Sequence, residues 1–166
     1  MADSTGVTTY GFDPLNRPSG KTDPGSLIQA YAYDATGNRT GLTDPDGGIR
    51  TMTYDADNNQ TVFQDANSKR TTMQYDAAGR LTTLSYESGT KRRLTYDLAG
   101  QVVSHIDEDA SSALLARFTF AYDPNGNREV VRDSNGAWTT YTYDKKNRLT
   151  ADATSGTNSH NYPFTY

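Results

Sequence analysis

The chain has 166 residues, with 16 basic and 20 acidic side chains that give a formal net charge of −4. The length fits one domain-sized unit, and a sequence without cysteine excludes disulfides, thiolate metal sites and a cysteine nucleophile. The slightly acidic balance and the lack of a run of about 20 apolar residues argue against nucleic-acid binding and against a membrane span.

We take residues 1–7 as an N-terminal lead-in, because a regular pattern begins after them. From residue 8 onward an aromatic residue followed by aspartate recurs every 21 residues, apart from one interval of 26. The pairs are Phe12-Asp13, Tyr33-Asp34, Tyr54-Asp55, Tyr75-Asp76, Tyr96-Asp97, Tyr122-Asp123 and Tyr143-Asp144. Residues 8–166 therefore divide into seven repeats and the first strand of an eighth, with an insertion near residues 107–112.

Each aromatic-aspartate pair opens a predicted turn. The aspartate side chain can accept hydrogen bonds from backbone N–H groups two residues on. The position four residues after the aromatic holds only Gly or Asn, which enter the left-handed backbone region at low cost. The predicted turn residues are Asp13, Asn16, Asp34, Gly37, Asp55, Asn58, Asp76, Gly79, Asp97, Gly100, Asp123, Gly126, Asp144 and Asn147.

A second, looser turn is predicted midway through each repeat. These turns cover residues 23–26, 44–48, 65–68, 87–90, 133–136 and 155–158. In the fifth repeat the extra residues predict a swollen turn over 107–112, a surface insertion. Two turns per repeat leave two strands of about six residues, a common strand length. The arithmetic predicts fifteen strands, the first at about residues 7–12 and the last at about 161–166.

Inside the strands, apolar and polar residues alternate with period two, which separates them onto two faces of a sheet. The positions two residues before each repeat aromatic are Tyr10, Tyr31, Met52, Met73, Leu94, Phe120 and Tyr141. The stripe continues on the returning strands at Leu42, Phe63, Leu84, His105 and Val131. The sequence therefore predicts an all-β fold with almost no helix, in which tandem hairpin repeats form one curved antiparallel sheet.

The pattern Tyr-Asp-x-x-Gly, as in residues 33–39, 75–81 and 122–128, resembles the YD repeat, also called the Rhs repeat. Rhs toxins, toxin-complex B/C components, wall-associated proteins and teneurins carry such repeats. The resemblance implies a sheet that spirals into a hollow shell around a toxin or passenger polypeptide. It implies a non-catalytic structural segment of a bacterial protein, secreted or at the cell surface, with its export signal outside this chain. Its partners would be the passenger or neighbouring repeats of the parent chain.

The regular column of tyrosines permits a second interpretation, because aromatic faces stack on sugars and on unfolded chains. The possible binding stripe is Tyr31, Tyr33, Tyr54, Tyr75, Tyr96, Tyr122, Tyr141 and Tyr143. Cross-strand packing explains the same column without a ligand. The alternative functions are accordingly a glycan- or protein-binding adhesin module, or a self-assembling surface fibre. Exposed sheet edges would also permit a homo-oligomer.

Metal binding and catalysis have little support in the sequence. The acidic stretches 44–48 and 55–59 could supply oxygen ligands to calcium, but aspartate recurs in the turns for backbone capping. No other cofactor is expected. The two histidines, His105 and His160, and the lack of a Gly-x-Ser-x-Gly motif predict that the chain is not an enzyme. His105 takes a slot that other repeats fill with Leu, Phe or Val, which favours a half-buried strand residue.

Overall fold

The computed structural model describes residues 2–3, 6–155 and 160–163, and the regular elements in these residues are all β-strands. No helix occurs in them, so none is long and apolar enough to span a membrane. The chain divides into an N-terminal unit, Met1–Arg80, and a C-terminal unit, Leu81–Tyr166. The predicted all-β fold of antiparallel hairpin repeats is confirmed.

The N-terminal unit begins with two short strands that pair only with each other, β1 (Ala2–Asp3) and β2 (Gly6–Val7). Each later strand of the unit pairs antiparallel with the next one. These strands are β3 (Thr9–Phe12), β4 (Pro18–Asp23), β5 (Leu27–Tyr33), β6 (Arg39–Thr43), β7 (Ile49–Tyr54), β8 (Gln60–Gln64) and β9 (Arg70–Tyr75). The predicted first strand thus starts later than expected, since Val7 belongs to β2.

The C-terminal unit has the same sequential antiparallel pairing. Its strands are β10 (Leu81–Tyr86), β11 (Lys91–Tyr96), β12 (Val102–Glu108), β13 (Leu114–Tyr122), β14 (Arg128–Asp133), β15 (Trp138–Tyr143), β16 (Leu149–Thr154) and β17 (His160–Pro163). Apart from Ser155, the predicted turn at 155–158 lies outside the described residues, as does the end of the predicted last strand, including Phe164.

The insertion of the fifth repeat differs from its prediction. The sequence predicts a swollen turn over 107–112, whereas Asp107 and Glu108 lie in β12 and the turn covers only residues 109–113. The extra residues lengthen the two strands instead: β12 has 7 residues and β13 has 9, against 5 in β8 and 6 in β9. The insertion therefore extends a hairpin and leaves its turn at ordinary size.

The predicted apolar stripe is confirmed within each unit by the strand register. In the N-terminal unit Tyr31 lies opposite Leu42 and Met52 lies opposite Phe63. In the C-terminal unit Leu94 pairs with His105, and Phe120 pairs with Val131. We call the side of the sheet that carries these pairs the apolar face of each unit.

Within each unit the described residues have almost no interior. Met52 is their only buried side chain, with 7% of its surface exposed. Large apolar side chains such as Leu27, Ile49 and Trp138 are more than half exposed. Backbone pairing, turn chemistry and cross-strand contacts, and not a packed core, therefore hold the fold together.

Candidate functional site

The aspartate turns are the most regular local structure in the molecule, and Asp13 shows how they work. The Asp13 N–H donates to the Arg17 carbonyl at 2.9 Å, and the Asn16 N–H donates to the Asp13 carbonyl at 2.9 Å. One carboxylate oxygen, Oδ1, accepts the N–H groups of both Leu15 and Arg17 at 2.9 Å. Asn16 has φ 61°, in the left-handed region that the turn requires. The aspartate thus satisfies the backbone donors that a tight turn would otherwise leave unpaired.

The same geometry recurs at the predicted turn positions. The fourth turn residue has a positive φ at Asn16, Gly37, Asn58, Gly79, Gly100, Gly126 and Asn147. The Oδ1 atom accepts the N–H of the fifth residue at Asp34, Asp55, Asp76, Asp97, Asp123 and Asp144 as well. The structure therefore gives the predicted turn residues a local structural role. Any functional role for these residues stays a prediction.

In most of these turns the side chain of the fifth residue makes a further contact with the aspartate. This side chain is Arg or Asn in several repeats and donates to the second carboxylate oxygen: Arg80 Nε lies 2.7 Å from Asp76 Oδ2, and Asn127 Nδ2 lies 2.8 Å from Asp123 Oδ2. Asn127 Nδ2 also reaches Asn147 Oδ1 at 2.9 Å, which ties one repeat to the next. The recurrence of Asn or Arg after the Gly/Asn position is the sequence signal for this role.

These hydrogen bonds hold the aspartates in the charged form. Backbone donation from Arg80 lowers the pKa of the Asp76 carboxyl, against a smaller opposing effect of burial. The pKa of Asp144 is lowered in the same way by Arg148. At Asp123 the side-chain hydrogen bond from Asn127 is the main cause of the lowered pKa. Carboxylates of this kind stabilise turns and are poor candidates for proton donors at neutral pH.

Most of the second turns prove to be as tight as the first ones, which corrects the expectation of a looser turn. In the turn that starts at Asp65, Oδ1 accepts the Asn67 and Lys69 N–H groups at 2.8 Å, and Ser68 has φ 65°. Turns with the same backbone hydrogen bonds start at Asp44, Tyr86, Asp109 and Asp133. The 24–26 turn is different, because Asp23 and Leu27 pair directly around three residues.

The repeat tyrosines use their hydroxyl groups to bind the preceding hairpin. Tyr54 Oη donates to the Arg39 carbonyl at 2.9 Å, and Tyr75 Oη donates to the Gln60 carbonyl at 2.8 Å. Equivalent bonds start from Tyr96, Tyr122 and Tyr143. Burial raises the pKa of the Tyr75 hydroxyl, which keeps it a neutral donor. These tyrosines brace neighbouring hairpins, while their use as a ligand platform stays a prediction.

The first tyrosines of the stripe are placed differently. Tyr10, Tyr31, Tyr33 and Arg39 line a shallow cleft of about 290 Å³ together with Pro18. Tyr10 is 56% exposed. The structure brings these aromatic side chains into one place, and Tyr141 lies with Tyr143 in a cleft of the C-terminal unit.

His105 stands in a charged group on the apolar face of the C-terminal unit. Its Nε2 atom lies 3.0 Å from Asp107 Oδ1, and its ring centroid lies 5.8 Å from that of Phe118. Arg92 donates to both oxygens of Asp107, at 2.9 and 3.2 Å. This hydrogen bonding from Arg92 lowers the pKa of the Asp107 carboxyl. A carboxylate bonded on both oxygens to an arginine acts as a cross-strand clamp.

The acidic stretches considered for calcium use their carboxylates inside the turns. Asp55 Oδ1 accepts the Asp57 and Asn59 N–H groups at 3.0 and 2.8 Å, and Asp44 forms an ion pair with Arg50. In the part of the chain that the structure describes, no three acidic or histidine side chains converge as metal ligands. Calcium binding stays a prediction.

The repeat pattern and the fold agree with a known family. The profile of the RHS Repeat family matches residues 12–49, 33–62 and 54–91. Residues 12–91 of this chain thus match the RHS repeat. The resemblance drawn from the Tyr-Asp-x-x-Gly pattern is thereby confirmed. No curated protein sequence matches the chain.

Solved structures with the same fold belong to toxin complexes. The crystal structure of TcdB2-TccC3 matches this chain with a TM-score of 0.77 at 17% sequence identity. The match covers 91% of this chain and 9% of the TcdB2-TccC3 chain. The Tc holotoxin pore of Photorhabdus luminescens has a TM-score of 0.66 at 20% identity, over 94% of this chain and 9% of that one. The crystal structure of TcdB2-TccC3-Cdc42 has a TM-score of 0.66 at 20% sequence identity, and the match covers 94% of this chain and 10% of the other chain. The chain thus spans about a tenth of the length of these chains, and the likeness shows the shared fold.

Proposed function

We propose that this RHS-repeat chain is a non-catalytic wall segment of a β-shell that encloses a passenger polypeptide. The observation that carries the proposal is the uncovered apolar face of each unit. Side chains such as Leu42, Phe63, Leu94 and Phe120 stand on it, yet Met52 alone is buried among the described residues. An apolar sheet face without a second layer needs a covering partner. An unfolded polypeptide can cover it, because its exposed apolar side chains can contact the face at many positions along the sheet.

The turns support a structural role for the chain. Most hairpins close through an aspartate in the turn, and tyrosine hydroxyls then join one hairpin to the next. A wall built this way can be extended by adding repeats, because each unit of structure contacts mainly its neighbours. The toxin-complex chains that share this fold are about ten times longer than the region matched here, which supports a segment of a larger shell.

The sheet edge supports neighbouring repeats as the second partner. Within the described residues, strand β3 pairs with β4 on one side and with no strand on the other. An open edge of this kind recruits another strand, and further repeats of the parent chain would supply one. We place the parent protein outside the bacterial cell or on its surface, on the strength of the toxin complexes that share the fold.

A pair of adjacent substitutions tests the covering partner. Phe63 lies on the apolar face and Val62 on the opposite one, since alternate strand residues face opposite sides. We expect the chain to bind reduced, carboxymethylated lactalbumin, a permanently unfolded polypeptide, in a fluorescence anisotropy titration. Phe63→Ser should weaken this binding severalfold and Val62→Ser should leave it unchanged. Absence of binding by the unaltered chain, or equal losses in both variants, would contradict the proposal.

A second candidate function, glycan binding, rests on the cleft formed by Tyr10, Tyr31, Tyr33 and Arg39. Aromatic rings beside a guanidinium supply stacking surfaces and a hydrogen-bond donor for a sugar. Screening the chain against immobilised glycans tests it, with Tyr10→Ala as the variant that should lose any signal. Retention of the signal by Tyr10→Ala would exclude this cleft as the binding site.

A further inference from the structure

Each unit contains a small cleft, here called a notch, between one strand and the turn that follows the next strand. In the N-terminal unit it lies between β7 and the turn after β8, and in the C-terminal unit between β13 and the turn after β14. The N-terminal notch, a cleft of about 300 Å³, is lined by Gly47, Gly48, Ile49, Thr51, Gln64, Asp65, Ala66 and Ser68. The C-terminal notch, also of about 300 Å³, is lined by Arg117, Thr119, Arg132, Asp133, Ser134 and Gly136. The two correspond by register, since Thr51 pairs with Gln64 and Thr119 pairs with Arg132.

The two notches share their architecture and differ in charge. The positions of Ile49 and Gln64 in the N-terminal notch are taken by Arg117 and Arg132 in the C-terminal notch. Nothing in the geometry of the turn demands arginine, because the N-terminal notch forms without it. The two cations are therefore not needed to close this turn.

The two guanidinium groups form no ion pair with a carboxylate. Among the described residues, neither the Arg117 nor the Arg132 side chain makes an ion pair or a hydrogen bond, although the backbone of both residues pairs within the sheet. The acidic residue in the notch is Asp133, and its Oδ1 atom accepts hydrogen bonds from the Asn135 and Ala137 N–H groups at 2.9 and 3.0 Å. Arg117 stands diagonal to Arg132 across the strand pair, a placement that separates Cβ atoms by ~7–8 Å. Two unpaired guanidinium groups at this spacing can bind two carboxylates that lie two residues apart in an extended peptide, or one carboxylate that bridges both groups.

Beside the arginines, strand β13 offers an unpaired backbone edge. Its pairing with β14 begins only at Phe118, so residues 114–117 have no partner on that side among the strands that the structure describes. The side chains of Leu114 and Leu115 are 53% and 58% exposed there. An open edge of this kind accepts an extended peptide through main-chain hydrogen bonds, while side chains beside it select the sequence.

We propose that the C-terminal notch binds an acidic peptide in extended conformation. The peptide pairs with β13 along residues 114–117 and places carboxylates on Arg117 and Arg132. Apolar residues of the peptide contact Leu114 and Leu115. This surface is opposite to the apolar face, since Arg117 alternates with Phe118 along β13. The peptide site and the passenger-binding face are therefore tested separately, and one can fail without the other.

The chain contains its own reporter for this site. Trp138 is its single tryptophan and is 53% exposed. It pairs with Arg132 across β14 and β15. We expect an octapeptide of alternating glutamate and threonine to change the Trp138 fluorescence saturably, with an affinity that falls as ionic strength rises. The same peptide with lysine in place of glutamate should produce no change.

Two variants and one altered peptide decide the proposal. The double change Arg117→Gln with Arg132→Gln should weaken binding at least about tenfold, a loss of roughly 1.4 kcal/mol. Methylation of alternate peptide nitrogens keeps the charge and removes backbone donors, and it should weaken binding comparably. Unchanged binding in the double variant would overturn the site. Full binding of the methylated peptide, or equal competition by inorganic phosphate, would overturn strand pairing and leave a simple anion site.

The N-terminal notch provides a control for the open strand edge. Ile49→Arg combined with Gln64→Arg recreates the two cations, but β7 begins at Ile49 and pairs with β8 from Thr51, so it lacks the open edge that residues 114–117 give β13. Calorimetric titration of this variant should therefore still show one peptide bound per chain. A stoichiometry of two would contradict the claim that the open edge is needed for binding.

Discussion

The hairpin β8–β9 in the N-terminal unit and the hairpin β12–β13 in the C-terminal unit close through the same turn. Both turns start with an aspartate whose Oδ1 accepts two backbone N–H groups, in residues 65–69 and 109–113. Both place a serine in the left-handed region, Ser68 with φ 65° and Ser112 with φ 66°. The strands differ, since β12 and β13 together are five residues longer than β8 and β9. Turn geometry and strand length are therefore specified independently.

Charged pairs join the additional length of β12 to the preceding strand, β11. Arg92 binds Asp107 on one face, and Arg93 Nε lies 3.1 Å from Glu108 Oε2 on the other face. Both acids lie in the part of β12 that extends the hairpin. Strand β8 of the short hairpin has no charged residue, and it faces the preceding strand β7 through uncharged pairs, Met52 with Phe63 and Thr51 with Gln64. The comparison indicates that the longer hairpin is held by ion pairs to its neighbouring strand as well as by a closed turn.

Acidification gives the largest expected effect, because it acts on many turns together. The pKa of Asp109 is lowered by hydrogen bonds from Ser111 and Ala113, and that of Asp107 by Arg92. A carboxyl whose pKa is lower in the folded state contributes stability above its unfolded value, and this is lost as the pH falls through the folded value. We expect constant thermal stability above pH ~5 and a steep fall below pH ~4. A stability that rises on acidification would contradict the role of the turn carboxylates.

Glycine replacement gives the next largest effect and separates turn strain from contact between turns. Gly89 has φ 87°, and a Cβ there would lie 2.5 Å from Ala110 Cβ in the turn of the long hairpin. Gly79 has φ 75°, and the nearest atom to its Cβ would be Asn59 Oδ1 at 3.7 Å. Gly79→Val should cost about 1–2 kcal/mol from backbone strain alone. Gly89→Val should cost about 1–3 kcal/mol more through overpacking.

Urea unfolding of both glycine variants measures the difference. Gly79→Asn serves as the control, since Asn fills this turn position in other repeats and should be close to neutral. Equal losses for Gly79→Val and Gly89→Val would mean that the long hairpin does not rest against its neighbouring turn. An unchanged melting temperature for Gly79→Val would contradict the turn assignment itself.

Removing a tyrosine hydroxyl should have a moderate effect. Tyr75→Phe deletes the donor to the Gln60 carbonyl while keeping the ring. We expect a loss of about 0.5–1.5 kcal/mol in the free energy of unfolding, the usual size for a single hydrogen bond. Tyr86→Phe is the matched control, because Tyr86 is 40% exposed and opens a second turn through its backbone groups. A larger loss of stability in Tyr86→Phe than in Tyr75→Phe would contradict the stabilising role assigned to the hydroxyl groups of the repeat tyrosines.

The ion pair that joins β11 to the long hairpin gives the smallest expected effect. Its partners are partly exposed, with 42% of the Arg92 side chain and 22% of the Asp107 side chain accessible. Screening by solvent limits such pairs to about 1 kcal/mol or less. Arg92→Gln should therefore lower stability by about this amount, with a smaller loss in high salt. A loss that is independent of salt would point to packing of the arginine stem in place of its charge.

The sequence predicts the repeat, the aspartate turns and the apolar stripe because these depend on residues close together in the chain. The 21-residue spacing sets the register, and Gly or Asn marks the left-handed position. The extended hairpin escapes prediction, since Asp107 and Glu108 resemble turn formers until their partners Arg92 and Arg93, 15 residues away, are known. The arginine notch escapes it for the same reason, because only the strand register brings Arg117 near Arg132.

Hydrogen exchange at the two matched turns tests the central claim most directly. Lys69 and Ala113 occupy the fifth turn position in the short and the long hairpin, and each N–H group donates to an aspartate Oδ1, at 2.8 and 2.9 Å. We predict that both amides exchange much more slowly than unstructured ones at neutral pH, and that Asp65→Ala and Asp109→Ala each release only their own turn. Fast exchange at either amide in the unaltered chain would contradict the claim that one aspartate turn closes hairpins of both lengths.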